Sequence, residues 1–298
     1  MSVTICAVIT ILFSSYAFAG TFKTLDAPGA TQTCAQGIDG DNVVGYYTDS
    51  IGRQHGFIYN GANWTILNKP GATSTIASGI DGTNIVGNYY DTTGTHAFLY
   101  DGTTWTTIPD NIAPFGQPME SYGVSGNNII GKTERSNRFH TGLLYNISTA
   151  TCTSLSYPPG LWTEAYGIDG DNIVGVAITT VNYNNPHNHG FLYDGSTWTL
   201  LDAPGSSFTE AYGIDGGNIV GMYGIGNSYR SFLYDGSTWT TLNIGGMPRG
   251  ISGNNIVGYY GSLGNYHGFI YTIPEPVSAL LIGAGFFFAR FRRVQKNA

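Results

Sequence analysis

The sequence predicts an all-β fold, a six-bladed β-propeller of four-stranded repeats that is closed by its N-terminal strand. A Gly-[Ile/Val]-[Asp/Ser]-Gly tetrapeptide occurs six times, at spacings of 42, 44, 44, 46 and 37 residues, and its first glycine stands at Gly37, Gly79, Gly123, Gly167, Gly213 and Gly250. Spacings of this size are typical of propeller blades. The composition agrees, because 43 glycines, 14% aromatic residues and only 10% charged residues describe a turn-rich, well-packed chain.

Each repeat contains four short apolar runs separated by Gly, Asn and Asp, most clearly over residues 210–243 (EAYGIDGGNIVGMYGIGNSYRSFLYDGSTWTTLN). Val, Ile, Tyr, Phe, Trp and Thr dominate these runs, and no apolar stripe recurs at helical spacing, so each run is predicted to be a strand. The Asp-Gly dipeptides between the runs are typical of tight hairpins. One repeat therefore predicts one four-stranded antiparallel blade.

The two ends of the repeat array are complementary. The sixth repeat stops after its third strand, at residues 267–271 (HGFIY), whereas residues 21–30 (TFKTLDAPGA) match the fourth strand of an earlier repeat, residues 197–206 (TWTLLDAPGS). A ring closed by strand exchange requires such ends, and closure leaves no exposed sheet edge. The sequence therefore favours a closed propeller over an open solenoid, with residues 20–272 as the repeat domain.

Residues 1–19 form an apolar stretch that ends in Ala17-Phe18-Ala19, with Gly20 next. An apolar segment followed by a small-residue cleavage site is typical of a secretory signal peptide. The sequence therefore predicts cleavage after Ala19. The alternative is that this stretch is a buried first strand.

Residues 273–298 carry a second targeting signal. A Pro-Glu-Pro triplet precedes an apolar run over residues 277–289, and arginines follow the run. The run predicts a hydrophobic transmembrane helix with positive charge on its cytoplasmic side. This layout resembles the PEP-CTERM sorting signal of Gram-negative bacteria. The residues that carry the resemblance are Pro274, Glu275, Pro276, Arg290, Arg292 and Arg293.

The PEP-CTERM resemblance implies a route and a partner. It implies export through the inner membrane, transient retention there by the C-terminal segment, and processing by an exosortase near residues 274–276. Release to the cell surface or the extracellular matrix would follow, together with a role in exopolysaccharide or biofilm production. An ordinary C-terminal membrane anchor is the alternative.

The repeats resemble the HAF family of extracellular repeats, named for a triplet that stands here as His96-Ala97-Phe98 in the third strand of the second repeat. His-Gly-Phe relatives of the triplet occur at 55–57, 189–191 and 267–269. The resemblance covers nearly all of residues 21–271. It implies a secreted repeat protein and supplies no established activity.

The charge of the repeat domain limits its partners. Over residues 20–274 eight Lys or Arg stand against eighteen Asp or Glu, so the net charge is near −10. Such a surface argues against nucleic acid or an anionic membrane as the partner. Neutral glycans and cations are compatible with it.

Histidine and cysteine patterns predict no metal site and no cofactor. Equivalent positions of different blades lie too far apart for metal bonds of about 2 Å, so the repeat histidines are predicted to be hydrogen-bonding residues. The Asp-Gly turns lack the closing acidic residue of a calcium loop. Cys34 and Cys152 lie two blades apart and are predicted to be buried free thiols. The repeat histidines are His55, His96, His189 and His267.

Repeats three, four and five carry a Glu and a Tyr, two residues apart, just before the tetrapeptide. We call equivalent positions of the aligned repeats a column, and in the sixth repeat Arg249 stands in the tyrosine column. Residues two apart in a strand share a face. If the first strand of each blade is innermost, these side chains gather at one side of the central channel and form a patch suited to a sugar or a cation. In the alternative, the tyrosines pack between blades while the glutamates face solvent or pair with Arg249. The patch residues are Glu120, Tyr122, Glu164, Tyr166, Glu210, Tyr212 and Arg249.

The sequence predicts that the protein is not an enzyme, because it carries no nucleophile motif, phosphate loop or nucleotide-binding glycine pattern. The leading hypothesis is an exported, surface-sorted repeat protein that binds or scaffolds exopolysaccharide in a biofilm matrix. Two alternatives stay open. One is a carbohydrate-active enzyme that uses the glutamates of repeats three to five, and the other is a structural adhesin that makes protein contacts.

Overall fold

Twenty-four β-strands account for nearly all of the regular structure. The computed structural model describes residues 20–113, 116–135, 139–158, 162–179 and 188–274. In these ranges the strands form six four-stranded antiparallel sheets, and the helical structure is a short 3-10 turn at Asp110–Ile112. No helix in this part of the chain has the length and apolar character needed to cross a membrane. The six-bladed propeller predicted from the repeats is confirmed.

The strands follow the repeats. The first blade contains β2 (Gln32–Asp39), β3 (Asn42–Thr48), β4 (Gln54–Tyr59) and β5 (Trp64–Leu67). The second contains β6 (Ser74–Asp81), β7 (Asn84–Tyr90), β8 (Thr95–Tyr100) and β9 (Trp105–Thr107). The third contains β10 (Glu120–Ser125), β11 (Asn128–Glu134), β12 (His140–Asn146) and β13 (Thr151–Leu155).

The remaining blades have the same order. The fourth contains β14 (Trp162–Asp169), β15 (Asn172–Ile178), β16 (Asn188–Tyr193) and β17 (Trp198–Leu201). The fifth contains β18 (Phe208–Asp215), β19 (Asn218–Ile225), β20 (Ser228–Tyr234) and β21 (Trp239–Leu242). The sixth combines β22 (Gly246–Ser252), β23 (Asn255–Ser262) and β24 (Asn265–Thr272) with β1 (Thr21–Leu25).

The N-terminal strand closes the ring. The order of the sixth sheet is β1-β24-β23-β22, and its register aligns Thr21 with Thr272 and Leu25 with Gly268. Leu25 is only 2% exposed, so burial of its side chain adds to the backbone hydrogen bonds in holding the strand. Closure by the N-terminal strand, predicted from the matching chain ends, is confirmed.

A repeated aromatic core joins neighbouring blades. The tryptophan of the fourth strand packs on the phenylalanine of the third strand, with ring centroids 4.9 Å apart for Phe98 and Trp105 and 4.8 Å apart for Phe232 and Trp239. In the third blade Cys152 stands in the tryptophan column, opposite Tyr145. The fully buried phenylalanines of the other five blades are Phe57, Phe98, Phe191, Phe232 and Phe269.

Both described cysteines are free thiols. Cys34 is buried, as predicted, on the innermost strand of the first blade. The prediction of burial is wrong for Cys152, which is half-buried because it lies on the outermost strand of its blade, next to Ile147.

The two faces of the ring differ in their connections. The upper face carries the connections between blades and the hairpin tips that join second and third strands, and the lower face carries the Asp-Gly turns. Threonine hydroxyls hold the upper connections: Thr33 Oγ1 accepts a hydrogen bond from the Ala27 N–H at 2.9 Å, and Thr209 does the same for Ala203 at 3.0 Å. First strands run from the upper to the lower face, so their first residues reach the upper face.

Glycines form the narrowest part of the central channel. A Cβ atom on Gly79 would lie 2.9 Å from the Gly123 Cα, and one on Gly250 would lie 3.2 Å from the Gly37 Cα, which joins the last blade to the first. Only glycine permits so close an approach of two backbones. The Ile or Val after each glycine lines the channel, which encloses about 70 Å³.

The third tetrapeptide position links each blade to the next. Asp39 Oδ2 accepts a hydrogen bond from the Gly82 N–H at 2.8 Å, and Ser252 Oγ of the last blade accepts one from the Gly40 N–H of the first at 3.0 Å. Six such bonds run once around the lower face. The hairpin role of these turns was expected from the sequence, whereas this inter-blade bonding was not.

Several residues with a predicted targeting role lie outside the described ranges. They are the signal peptide, residues 1–19, together with Glu275, Pro276, Arg290, Arg292 and Arg293. Pro274 is the last described residue, two positions after the end of β24. Export and sorting therefore stay predictions.

Candidate functional site

Three glutamate–tyrosine pairs lie side by side at the upper end of the central channel. The glutamates stand near the beginning of β10, β14 and β18, which are the innermost strands of their blades. In each pair the tyrosine hydroxyl donates a hydrogen bond to a carboxylate oxygen, and Tyr122 Oη lies 2.6 Å from Glu120 Oε2. We call these residues the Glu–Tyr row: Glu120 and Tyr122, Glu164 and Tyr166, and Glu210 and Tyr212.

A β-bulge turns each tyrosine toward the axis. The register of β10 with β11 shifts between Ser121 and Gly123, which leaves Tyr122 as the extra residue, and the same shift occurs in all six blades. A bulge re-aims the side chain that it carries. The alternation of faces correctly predicted that each tyrosine lies near its glutamate, but it did not predict the bulge. The six bulged residues line the channel and are Gln36, Ser78, Tyr122, Tyr166, Tyr212 and Arg249.

The rings of the three tyrosines contact one another in series at tilted or edge-to-face angles, and Arg249 follows Tyr212. Ring centroids are 5.2 Å apart for Tyr122 and Tyr166 and 5.4 Å apart for Tyr166 and Tyr212. The Arg249 Cζ lies 4.7 Å from the ring centroid of Tyr212 and 5.6 Å from that of Tyr259. Arg249 is thus held by cation–π contacts. Among the described residues no carboxylate forms an ion pair with it within 4.0 Å, so the pairing with the glutamates that the alternative allowed does not occur.

Burial keeps the three tyrosines protonated. It raises the pKa of Tyr122, Tyr166 and Tyr212 far above the usual value for tyrosine, and the charge of the adjacent glutamate raises it further. Their hydroxyls are therefore permanent donors to the carboxylates, and each carboxylate keeps its remaining acceptor positions for other partners.

Glu164 is the most buried of the three glutamates, with 7% exposure. Its Oε1 accepts a hydrogen bond from the Trp162 Nε1–H at 2.7 Å and lies 3.4 Å from the Lys132 Nζ, and the His140 Nδ1 contacts the same oxygen. Burial alone would raise the pKa of Glu164, but the contacts with His140 and Lys132 outweigh burial and lower it to about 2. Glu164 is therefore an ionised acceptor at neutral pH.

The other two glutamates have different surroundings. The Glu120 side chain is 50% exposed, and its Oε2 lies 3.9 Å from the Lys132 Nζ. Glu210 is half-buried and accepts a hydrogen bond from the Asn188 Nδ2–H at 2.8 Å. The three glutamates therefore stand at equivalent positions of the repeat but differ in exposure and in the residues that they contact.

Sequence analysis did not identify Lys132, His140 or Trp162. His140 stands one residue before the histidine column, which Thr141 occupies in this blade, so its side chain projects from the opposite face of the strand. Lys132 is recognised through the pairing of β11 with β10, where it stands opposite Glu120. Trp162 precedes Glu164 by two residues, and the alternation of faces was a signal that could have found it.

The repeat histidines bind the connections between blades. The His96 Nδ1 lies 2.9 Å from Asp110 Oδ2, in the connection that follows the fourth strand. Three further pairs are His55 with Asn68, His189 with Asp202 and His267 with Asp26. The prediction that these histidines are hydrogen-bonding residues is confirmed. Within the described ranges no three His, Cys, Asp or Glu residues are grouped so as to hold a metal ion.

Comparison with known proteins shows a fold and no family. No family model matches the chain, and no curated protein matches it. TolB from Agrobacterium tumefaciens is 15% identical with a TM-score of 0.54, over 86% of this chain and 91% of that one. TolB from Acinetobacter baumannii is 16% identical with a TM-score of 0.50, over 79% of this chain and 65% of that one.

A third similar structure is the β-propeller domain of the Trilobed protease from Pyrococcus furiosus. It is 12% identical with a TM-score of 0.52, over 80% of this chain and 82% of that one. That domain is described as having an open velcro topology, whereas β1 closes the ring here. At these identities the comparisons establish that the chain has the β-propeller fold.

Proposed function

We propose that the protein is exported, sorted to the cell surface or the extracellular matrix, and binds exopolysaccharide there without catalysing a reaction. The observation that carries the proposal is the Glu–Tyr row, in which rings spaced 5.2 and 5.4 Å apart stand beside three carboxylates on one face. The carboxylates accept hydrogen bonds from the hydroxyls of a sugar, and a tyrosine hydroxyl holds each of them in place.

The proposed location rests on the two chain ends. The apolar leader over residues 1–19 supports export, and the resemblance of residues 273–298 to a PEP-CTERM signal supports sorting by an exosortase. In a strain that lacks the exosortase, we expect the unprocessed chain to stay in the inner-membrane fraction. Equal release to the medium with and without the enzyme would contradict this route.

Binding of the purified full-length chain to exopolysaccharide extracted from the source strain tests the ligand and the site. Glu120→Gln removes one exposed carboxylate, and we expect about threefold to tenfold weaker binding in affinity electrophoresis, the size of one lost hydrogen bond of ordinary strength. Glu134→Gln, which changes an exposed carboxylate on the same blade, is the matched control. Unchanged binding in both Glu120→Gln and Glu164→Gln would remove the Glu–Tyr row as the site.

A carbohydrate-active enzyme is the second candidate, because a carboxylate, an imidazole, an ammonium group and an indole converge at Glu164. Glycoside hydrolysis needs one protonated carboxyl as general acid. A pKa lowered to about 2 makes Glu164 poorly suited to that role near neutral pH, which supports binding as the first candidate. Release of reducing ends from the extracted polysaccharide by the unchanged protein, lost in Glu164→Gln, would instead establish the enzyme.

A further inference from the structure

Two cavities on the upper face meet at the boundary between the fifth and sixth blades. Their volumes are about 440 and 720 Å³, and both are lined by Met222, Tyr229 and Met247. Because they share these walls, the two cavities adjoin each other, and we call them together the blade 5–6 cleft. Each volume lies within the range of ligand sites, about 300–1,000 Å³.

The cleft opens where the chain departs from its repeat. Three residues, 243–245, connect β21 to β22, whereas six residues, 202–207, connect β17 to β18. Gly246 stands where Thr209 holds the preceding connection, and Arg230 occupies the histidine column. These changes coincide at one boundary, so the space that a longer connection fills elsewhere is free here.

Aromatic rings line both sides of the cleft. On the fifth blade the rings of Phe208 and Tyr229 are 5.5 Å apart, and Tyr229 is 71% exposed. On the sixth blade Tyr259 and Tyr266 meet edge to face at 5.1 Å. Contact with a neighbouring ring limits the motion of each tyrosine, so a ligand that packs on them loses little further freedom on binding. The walls are preformed surfaces for the apolar face of a ring.

The inner end of the cleft requires hydrogen-bond donors. Glu210 lines it and accepts hydrogen bonds from the Asn188 Nδ2–H and from the Tyr212 hydroxyl. The Asn188 Oδ1 is buried and has no hydrogen-bond partner within the described part of the chain. A buried acceptor without a donor costs free energy, and a hydroxyl of a bound ligand removes that cost.

The charge around the cleft selects among sugars. An acidic sugar placed on the aromatic walls would bring its carboxylate toward Glu210, which is half-buried and is itself one of the carboxylates of the Glu–Tyr row. Like charges brought together at a partly desolvated site are costly. Arg230 is the cation on the wall, but it is exposed at the rim, where salt screens its field. Hydroxyl donors without charge therefore suit this cleft best.

We propose that the blade 5–6 cleft binds a segment of a neutral oligosaccharide, with sugar faces packed on Tyr229 and Tyr266 and hydroxyl groups donating to Glu210 and Asn188. This inference rests on the proposed function, and it names the subsite and the ligand class of that function.

Calorimetric titration of the full-length chain tests the cleft. The probes are neutral hexasaccharides of glucose, galactose and mannose, a hexasaccharide of galacturonic acid, and the extracted exopolysaccharide where no hexasaccharide binds. Tyr229→Ala and Tyr266→Ala are each expected to weaken binding of the neutral probe about tenfold. Ile51→Ala removes a 72% exposed apolar side chain of the first blade that lines neither cavity, and we expect binding within about twofold of the unchanged protein.

Each outcome decides between the cleft and the proposed function. Loss of binding in both cleft variants, with Ile51→Ala unaffected, supports the inference, and thermal melts confirm that the variants are folded. If Glu120→Gln weakens binding while both cleft variants bind normally, the cleft is overturned and the proposed function stands. Tighter binding of the galacturonic acid probe overturns the neutral ligand class. If no probe and no extracted polysaccharide binds, both proposals are overturned.

Discussion

The four residues of the second tetrapeptide, Gly79 to Gly82, each meet a different physical demand. A Cβ atom on Gly79 would lie 2.9 Å from the Gly123 Cα, so only a glycine lets the next blade pack this closely. Ile80 lines the channel. Asp81 Oδ2 accepts a hydrogen bond from the Gly126 N–H at 2.6 Å, and Gly82 has a φ of 58° at its hairpin. Repetition of the tetrapeptide therefore repeats both the hairpin and the contacts between blades.

Replacing Glu164 with glutamine is expected to lower stability at neutral pH by about 1–3 kcal/mol, because Lys132 loses its buried counter-charge and His140 loses a charged hydrogen-bond partner. The pKa of Glu164 is lowered from 4.5 to about 2. The ionised carboxylate therefore stabilises the fold fully above about pH 4.5, and this contribution is lost as the pH falls toward 2. Urea unfolding at pH 7 and pH 3 measures both effects, and the difference between the two pH values shrinks in the variant.

The control for this pH effect is Glu134→Gln, which changes an exposed carboxylate of the same blade. Its unfolding free energy is expected to change by less than about 0.5 kcal/mol at either pH. If Glu164→Gln keeps the full difference between pH 7 and pH 3, the lowered pKa of Glu164 is not a source of acid sensitivity.

The sequence predicted the repeated part of the candidate site and not the rest. Glu164 and Tyr166 were found because their columns recur in adjacent repeats. Lys132 and His140 occur in one repeat only, and they reach Glu164 across a blade boundary through contacts that depend on how sheets pack. Aligned repeats identify equivalent positions. The hydrogen bonds and charges around each position depend on neighbours that are not repeated.

At the scale of strands, the sequence predicted the pairing well and the bulge poorly. Four apolar runs with turn residues between them lead to one antiparallel blade, because side-chain alternation and hairpin chemistry act within a few residues. The bulge that places Tyr122 in the channel adds one residue to the inner strand. The same register shift occurs in the first strand of all six blades, where side-chain alternation alone does not reveal it.

Strand β1 is expected to be required for a stable monomer. A chain that begins at Asp26 loses the burial of Leu25 and the pairing of β1 with β24, and we expect a loss of about 2–4 kcal/mol in unfolding free energy. The exposed edge of β24 should also promote self-association. Calorimetry and light scattering measure the two effects.

Addition of the missing strand in trans is the control for this truncation. A peptide of residues 20–25 should restore both the melting temperature and the monomeric state, because it can pair with β24 in the register of β1. A truncated chain that melts and sediments like the full chain would show that closure by β1 does not stabilise the ring.

At the scale of the whole molecule, the six blades share one architecture, and the candidate sites lie where the blades differ in sequence or in the length of their connections. The Glu–Tyr row occupies three of the six blades, and the blade 5–6 cleft lies at the shortest connection between described blades. The spacing of 37 residues before Gly250 was visible in the sequence. The cleft that this short spacing leaves was not visible, because its width depends on how the fifth and sixth sheets are placed in the closed ring.

Closure of the ring makes its narrowest point sensitive to a single methyl group. In Gly79→Ala the new Cβ would lie 2.7 Å from the Tyr122 backbone oxygen and 2.9 Å from the Gly123 Cα, and neither can move without displacing the next blade. We expect a loss of about 1–3 kcal/mol in urea unfolding. In Gly217→Ala the Cβ meets only the Asp235 oxygen at 3.7 Å, so that variant should unfold like the unchanged protein. Equal stability of the two variants would mean that the blades do not pack through these glycines.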